Sequence, residues 1–249
     1  PHCDVSLSEH NGNRLICHYC GYETVKPEIC PSCGSPHIGG FKAGTQQIEK
    51  VIEKEFPKAR VLRMDFDTTR TKDSYEKILD SFAKHEADIL VGTQMIVKGH
   101  DFPDVTLVGV IAADLSLNMD DYHCGERTFQ LLTQAVGRSG RGNRPGQAVI
   151  QTYQPEHYSI QSAAIQDYEK FYKEEMGYRM LLDYPPAAHM MTVFGACQDE
   201  ELLKNAMYYI EVFIRRVSPK EELHMIGPAA ASVGKVKDVY RQVIHLKHR

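Results

Sequence analysis

The spacing of the cysteines constrains the start of this chain more tightly than any other feature of the sequence. Five of the seven cysteines lie in the first 33 residues, and four of them form two Cys-x-x-Cys pairs that are each followed by glycine. Such a pair bends into a knuckle whose thiolates bind one tetrahedral zinc ion at about 2.3 Å. Because the segment contains few apolar residues, a metal ion must supply the stability that a core would otherwise provide. We therefore predict zinc binding, with the candidate ligands Cys3, Cys17, Cys20, Cys30 and Cys33.

The spacing leaves the pairing of these ligands open. In the simpler arrangement, the two Cys-x-x-Cys pairs hold one ion and Cys3 is spare; in the other, Cys3 belongs to a third pair whose partner is missing. No secretory signal is evident, so metal binding is favoured over a disulfide framework. Four histidines are weaker ligand candidates, and two isolated cysteines are more typical of buried thiols than of nucleophiles. These are His2, His10, His18 and His37, and Cys124 and Cys197.

Length and composition are those of an ordinary globular protein. With 249 residues, of which 42% are hydrophobic and 25% charged, the chain is long enough for one large or two medium domains. No apolar run reaches the length of about 18 residues that a transmembrane helix needs, so we predict no membrane contact and expect a cytoplasmic protein. The chain does not begin with methionine and stops within an extended-looking run. We therefore expect a fragment of a longer protein.

The net charge bears on nucleic-acid binding. A formal charge of −4 argues against a broadly basic coat protein of nucleic acid, but it does not exclude a local basic groove, because affinity depends on the face in contact. The C-terminal region contains such a candidate patch, and scattered surface charge is the equally balanced alternative. Within this patch, Lys235 and Arg241 are the candidate DNA-binding residues.

Helical and strand patterns alternate between residues 41 and 155. Apolar residues recur at spacings of three and four in a helix that begins at Thr45 and in another that contains Tyr75. Short apolar runs of the kind that forms doubly buried parallel strands occur at residues 61–64, 89–91, 105–113 and 148–150. This alternation predicts an α/β layer fold.

Residues 134–141 contain two arginines, Arg138 and Arg141, each preceded by glycine. They follow an amphipathic run around Gln130, so we expect them at the C-terminal end of a helix. A guanidinium group stays charged and binds phosphate oxygens bidentately, and such a cationic finger stabilises phosphoryl transfer. The Q-x-x-G-R-x-G-R pattern is similar to that of the second motor lobe of nucleic-acid helicases and translocases. The alternative is a solvated Gly/Arg-rich loop or a flexible nucleic-acid contact.

Polar residues follow the predicted strands, where ligands of parallel sheets gather. Thr93 and Gln94 come directly after one strand, in a turn that can offer N–H groups to phosphate, and Lys98 adds positive charge. Asp114 ends the next strand. The sequence contains no G-x-x-x-x-G-K-[ST] phosphate loop. We therefore expect that this chain does not hydrolyse ATP by itself.

Residues 156–249 are predicted to form a separate α+β domain. A long helix from residue 156 to about residue 182 is followed by a strand at 190–197, a helix at 200–217 and an extended run from residue 239. Aromatic residues recur at helical spacing in the long helix, which is more typical of a core than of a base-stacking surface. They include Tyr158, Tyr168, Phe171 and Tyr172.

Several short motifs make the chain resemble one family closely, the bacterial replication-restart DNA helicases of the PriA family, also called primosomal protein N′. The resemblance covers essentially the whole chain, and cysteines ahead of a motor lobe make it specific. The motifs are Pro1-His2-Cys3-Asp4, Cys17-His18-Tyr19-Cys20-Gly21, Cys30-Pro31-Ser32-Cys33, Gly44-Thr45-Gln46, Asp65-Phe66-Asp67-Thr68-Thr69, Gly92-Thr93-Gln94-Met95, residues 98–105, residues 134–141, Tyr184-Pro185-Pro186, Gly227-Pro228 and Tyr240-Arg241.

The resemblance implies a RecA-like second helicase lobe at residues 41–155, with a cysteine-rich zinc-binding insertion at 1–40 and an incomplete α+β C-terminal domain at 156–249. It implies an ATP- and Mg²⁺-dependent 3′–5′ DNA helicase that recognises stalled or abandoned replication forks and initiates primosome assembly. The implied partners are forked and single-stranded DNA, primosome proteins and single-stranded DNA-binding protein. Of two zinc ions in the intact protein, one would be held by Cys3, Cys17 and Cys20 and the other by Cys30 and Cys33, with the remaining ligands preceding Pro1.

The resemblance also implies roles for individual residues. Arg138 and Arg141 would reach the γ-phosphate, with Gln134 on the same surface. Gly137 and Gly140 would lie beside the nucleotide. Thr93 and Gln94 would belong to the motif that couples ATP to DNA. Lys98 and His100 would face DNA or the opposing lobe.

A non-enzymatic function is the alternative interpretation. In it, the chain is a zinc-stabilised adaptor that binds DNA or proteins and whose motor residues are vestigial. DNA affinity would then persist without nucleotide and would be lost with a chelator. A related double-stranded-DNA translocase is a third possibility, against which the clustered cysteines argue.

Overall fold

The structure is a computed structural model, and it divides into two compact units. One unit combines Pro1–Gly40 with Met176–Arg249, and the other is Phe41–Glu175. Among the residues that the structure describes, no helix is both long and apolar enough to cross a membrane. The division into three domains at residues 40 and 155 stays a prediction. The described residues are 1–10, 13–36, 44–69, 73–97, 102–140, 144–218 and 223–249.

The cysteine-rich segment forms a small antiparallel sheet. Its strands β1 (Ser8–His10), β2 (Arg14–Ile16) and β3 (Glu23–Val25) pair in chain order. The knuckle glycines take positive φ angles of +78° at Gly21 and +70° at Gly34, a conformation that glycine adopts without steric penalty. Each of their amides donates to the backbone carbonyl oxygen of the first cysteine of its pair at 2.9 Å. Both predicted knuckles are therefore formed.

The second unit has the α/β order that the sequence predicts. Among its described residues, β4 pairs in parallel with β5, and β6 pairs in parallel with β7. Parallel neighbours need a long crossover, and helices supply it in both pairs. The elements are α1 (Thr45–Glu55), β4 (Val61–Met64), α2 (Ser74–Ala83), β5 (Ile89–Gly92), a 3₁₀ turn (Gln94–Val97), β6 (Leu107–Val110), α3 (Asp114–Leu117), α4 (Cys124–Val136), β7 (Gln147–Ile150) and α5 (Tyr158–Ala164).

The core of this unit packs around α4. Phe129 and Leu132 lie three residues apart on the buried face of that helix. Phe129 stacks on Phe171, with ring centroids 4.1 Å apart. Ala113, Leu117, Ile160 and Ala163 complete the buried cluster. This core fixes the direction in which α4 ends, and that end carries the arginine motif.

The predicted long helix of residues 156–182 is wrong in one respect, because it is two helices. After α5 the backbone turns at Gln166, which has a φ of +55°, and α6 (Tyr168–Leu181) begins anew. Asp167 favours this restart, since its Oδ1 accepts the Lys170 amide at 2.9 Å. The predicted core role of the aromatic residues is confirmed for Phe171, which is only 3% exposed, but is wrong for Tyr168 and Tyr172, which are 62% and 52% exposed.

The C-terminal segment is an antiparallel α+β arrangement. Strands β8 (His189–Cys197), β9 (Leu223–Val236) and β10 (Val239–His248) pair in the order β8-β10-β9, and α7 (Glu200–Val217) connects β8 to β9. Leu203 and Met207 of α7 pack on Ile244 of β10. The predicted strand, helix and terminal extended run are confirmed. Strand β9, whose pairing with β10 contains two register shifts, was not predicted from the sequence.

Candidate functional site

The arginine motif begins on the turn that ends α4. The Gly137 amide donates to Thr133 O at 3.0 Å, and the Arg138 amide donates to Ala135 O at 3.0 Å. The helical hydrogen bonds therefore tighten at Gly137 and carry Arg138 just beyond the helix, as the sequence predicts. Arg138 is half-buried and Gln134 is exposed. Arg141 lies outside the described residues.

Gly140 anchors the turn that follows. Its φ is +74°, and its amide donates to Val105 O at 3.0 Å. A Cβ at this position would lie 2.5 Å from Gly146 N, so only glycine fits between the two backbone segments. The close approach holds the residues around Arg138 against the chain that leads into β7. This gives a physical reason for the second glycine of the motif.

The predicted nucleotide-coupling residues lie at the C-terminal end of β5. Thr93 follows the strand and Gln94 begins the 3₁₀ turn, whose Ile96 amide donates to Thr93 O at 3.2 Å. Both Thr93 and Gln94 are exposed. A Cβ on Gly92 would collide with the backbone of Met64 in β4, so glycine is required where the strands meet. Lys98 and His100, the predicted DNA contacts of this segment, lie outside the described residues.

Asp114 joins the ends of the neighbouring strands β6 and β7. The Thr152 hydroxyl donates to its Oδ1 at 2.7 Å, and the Tyr153 amide donates to its Oδ2 at 3.0 Å. The carboxylate is only 7% exposed. The Thr152 hydrogen bond, aided by the Tyr153 amide, outweighs burial and lowers the pKa of Asp114 below its ordinary value. Asp114 therefore stabilises the edge of the sheet.

We predict that Asp114→Ala lowers the free energy of unfolding by about 2–4 kcal/mol, because hydrogen bonds to charged groups each contribute about 1.5–3 kcal/mol and their donors would be left buried. Urea unfolding of this chain measures the change. Replacing the neighbouring exposed Asp120 with alanine is the control, and we expect a shift within about 0.5 kcal/mol. Equal unfolding midpoints for the two variants would contradict the assignment.

The difference in unfolding free energy between the unsubstituted chain and Asp114→Ala should depend on pH. Because the pKa of Asp114 is lowered on folding, the folded carboxylate binds fewer protons than the unfolded one, whose pKa is about 3.9. Its contribution is complete above the unfolded pKa and is lost as the pH falls through the folded pKa. The stability difference between the unsubstituted chain and Asp114→Ala should therefore shrink from about pH 6 to about pH 3.

A second polar cluster links two of the sequence motifs. The Thr45 hydroxyl donates to Asp65 Oδ2 at 2.5 Å, and the Thr68 amide donates to Asp65 Oδ1 at 2.9 Å. Arg63 Nε lies 3.4 Å from Asp65 Oδ2. Burial raises the pKa of Asp65, but the hydrogen bonds from Thr45 and Thr68 and the charge of Arg63 outweigh it and leave the pKa below its ordinary value. Both motifs are recognisable in the sequence, but no local pattern predicts that Thr45 contacts Asp65.

Three of the predicted metal ligands come together. The sulfur atoms of Cys3, Cys17 and Cys20 lie within 4.8 Å of one another, and Cys17 is only 2% exposed. Cys30 and Cys33 are described but do not belong to this cluster. The described residues therefore do not bring the two Cys-x-x-Cys pairs together, as one shared ion would require, and instead place Cys3 beside the first knuckle. Three converging thiols on a segment with little core fit a structural zinc site.

Backbone amides tune the thiols. The Cys20 amide, followed by that of Tyr19, lowers the pKa of Cys17 to about 7, and the Cys33 amide similarly lowers the pKa of Cys30. The Lys237 amide lowers the pKa of Cys3, but burial and the neighbouring thiols outweigh it, so the pKa of Cys3 is raised. Since zinc binds thiolate, the Cys17 knuckle is the part of the cluster best prepared for metal.

The predicted DNA contacts Lys235 and Arg241 are not brought together. Lys235 pairs with Tyr240 across the β9–β10 ladder, and its Nζ lies 5.0 Å from the centre of the Tyr240 ring. Its Nζ is also 3.1 Å from Asp238 Oδ1. Because successive residues of a strand face opposite sides, Arg241 points away from the face that carries Tyr240. Their role in DNA binding stays a prediction.

Comparison with known families matches two parts of the chain. Residues 1–24 match the family described as the PriA DNA helicase Cys-rich region (CRR) domain. That match contains all three cysteines of the cluster. Residues 39–143 match the helicase conserved C-terminal domain. This second match contains the 3₁₀ turn after β5 and the arginine motif after α4.

Relatives extend the similarity to the whole chain. The replication restart protein PriA of Bacillus subtilis is 46% identical over 251 aligned residues, which cover 100% of this chain and 31% of that protein. The Synechocystis protein of the same name is 42% identical over 100% of this chain and 30% of its own length. That of Thermotoga maritima is 37% identical over 98% and 32%. The chain thus spans about a third of the length of these relatives. It belongs to the PriA family of replication restart proteins.

Proposed function

We propose that this chain is the second motor lobe and cysteine-rich region of an ATP-dependent 3′–5′ DNA helicase that recognises stalled or abandoned replication forks and initiates primosome assembly. The observation that carries the proposal is the position of Arg138. It lies on the turn directly after α4, held there by the close contact of Gly140 with Gly146, inside the segment that matches the helicase C-terminal domain. A rigid backbone position favours phosphate binding by a charged side chain, because it holds the side chain in the required orientation.

In this proposal, the predicted site residues have separate roles. Arg138 and Arg141 donate to the terminal phosphate of ATP, and Gln134 shares their surface with Gly137 and Gly140. Thr93 and Gln94 relay the state of the nucleotide to the DNA, which Lys98 and His100 contact. Lys235 and Arg241 add DNA contacts from the C-terminal hairpin. ATP and Mg²⁺ are held mainly by another lobe, because this sequence contains no phosphate loop.

Zinc has a structural task in this proposal. Cys3, Cys17 and Cys20, whose sulfur atoms lie within 4.8 Å of one another, would hold the ion, which would crosslink the start of the chain to the first knuckle. A second ion would use Cys30 and Cys33. Both ions replace a hydrophobic core that the short strands β1, β2 and β3 are too small to build.

The proposed partners follow from the family. The relatives bear the name replication restart protein, which supports forked and single-stranded DNA as the substrate. Primosome proteins and single-stranded DNA-binding protein are the proposed protein partners, and the bacterial cytoplasm is the proposed location.

A polarity assay of the intact protein tests the helicase proposal. The substrate is a single strand with a labelled duplex at each end, so that the duplex displaced reports the direction of movement. We expect ATP-dependent displacement of the duplex reached by 3′–5′ movement, and no displacement with a non-hydrolysable ATP analogue. If the protein binds this DNA equally well with and without nucleotide and displaces neither duplex, the adaptor alternative holds.

A further inference from the structure

The first four residues pair with the turn between β9 and β10. The Asp4 amide donates to Lys235 O at 2.9 Å, and the Asp238 amide donates to His2 O at 2.9 Å. The side chains of His2 and Asp238 also hydrogen-bond, with Nδ1 and Oδ2 2.6 Å apart. More than 230 residues of sequence separate the two segments. The cysteine cluster is therefore attached to the C-terminal hairpin at the position of Cys3.

The attachment reaches the sulfur itself. The Lys237 amide donates to Cys3 Sγ at 3.2 Å. In each knuckle, the equivalent N–H donor comes from the same Cys-x-x-Cys pair. The Cys20 amide donates to the sulfur of Cys17, and the Cys33 amide donates to the sulfur of Cys30. Cys3 is followed by Asp4-Val5-Ser6 and has no knuckle after it. The hairpin turn supplies to Cys3 the donor that a Cys-x-x-Cys loop supplies to the other two.

The turn has a defined geometry. Lys237 and Asp238 have φ angles of +52° and +59°, as a two-residue type I′ hairpin loop requires. Val236 and Val239 pair on either side of it. Asp238 Oδ1 accepts from Lys235 Nζ at 3.1 Å, which braces the loop across its base. The position of the Lys237 amide is therefore set by β9 and β10 rather than by the cysteine-rich segment.

We propose that the β9–β10 turn holds Cys3 in the position that the metal needs, and that metal occupancy in return orders the hairpin. Amide groups that donate to metal-bound ligands fix the ligand's orientation, and their loss lowers metal affinity by about 10–100-fold. Coupling between two sites is reciprocal, so a hairpin that favours zinc is favoured by zinc. The inference rests on zinc binding at the cluster and not on helicase activity.

Zinc release from the intact, zinc-loaded protein tests the first half. Inserting two glycines between Lys237 and Asp238 moves the amide away from Cys3 and leaves every cysteine in place. The same insertion between Lys220 and Glu221, in the connection from α7 to β9, is the matched control. We expect transfer of one zinc equivalent to a chromogenic chelator to become about 10–100-fold faster in the turn variant and to stay within about twofold in the control. Equal release from both variants overturns the proposal.

Hydrogen exchange on the unsubstituted protein tests the second half without any variant. Stripping zinc with a chelator should raise the exchange rates of the Asp4, Lys237 and Asp238 amides at least about tenfold, while the amides in the middle of α7 keep their rates. Unchanged exchange in the turn overturns the proposal, as does a purified protein that contains no zinc. Loss of DNA unwinding with both zinc results intact would count only against the proposed helicase function.

Discussion

Alanine at Arg138 or Arg141 will lower DNA-stimulated ATP hydrolysis by the intact protein about 10³-fold or more, as removal of other arginine fingers does. The guanidinium group stabilises charge that develops on the transferred phosphoryl group, and we expect that the remaining arginine of the motif does not replace it. KM for ATP should change far less than kcat, because the contact strengthens in the transition state.

Two variants sharpen this prediction. Arg144→Ala removes an exposed arginine six positions after Arg138 and should leave the ATPase rate nearly unchanged. Arg138→Lys keeps the positive charge but not the planar fork, so it should recover only a small part of the activity. DNA-stimulated hydrolysis that survives both Arg138→Ala and Arg141→Ala would remove the finger assignment.

Cys17→Ala will release one zinc ion per intact protein and unfold the strands β1, β2 and β3. Cys17 is the most buried thiol of the cluster and the one whose pKa is lowered to about 7. Structural zinc contributes about 10–16 kcal/mol of apparent free energy in small zinc domains, more than such a sheet supplies without metal. Metal analysis of the purified variant and its susceptibility to proteolysis measure the effect.

Cys124→Ala is the matched control, because Cys124 begins α4 and lies outside the cysteine cluster. It should keep the full zinc content and the protease resistance of the unsubstituted protein. A Cys17→Ala protein that retains all its zinc would show that Cys17 is not a ligand.

Local patterns in the sequence predicted most of the fold. Apolar spacing located α1, α2, α4 and α7, and short apolar runs located β4 to β8. The break between α5 and α6 was not predicted, because the apolar spacing of residues 158–172 continues through Gln166. The only local signal of a new helix is Asp167, which caps its start. Strand β9 was not predicted, because Gly227-Pro228 and the three alanines that follow interrupt the alternation of apolar and polar residues that is typical of a strand.

In the candidate sites, too, the sequence predicted the features that depend on local signals and not those that depend on long-range contacts. The pattern of residues 134–141 predicted that Arg138 follows a helix, because a glycine at the end of a helix is a local signal. Which cysteines share a metal depends on contacts between distant segments, and spacing alone left two arrangements open, of which the simpler used both Cys-x-x-Cys pairs. Only the fold reveals that Lys237 touches Cys3 and that Thr45 touches Asp65.

The most direct test of the central claim is a structure of the intact protein with DNA, ADP, Mg²⁺ and a metal-fluoride mimic of the transferred phosphoryl group. We predict that guanidinium nitrogens of Arg138 and Arg141 lie at hydrogen-bond distance, about 2.7–3.2 Å, from the mimic. Both side chains turned away from the nucleotide and held by carboxylates of their own lobe would contradict it.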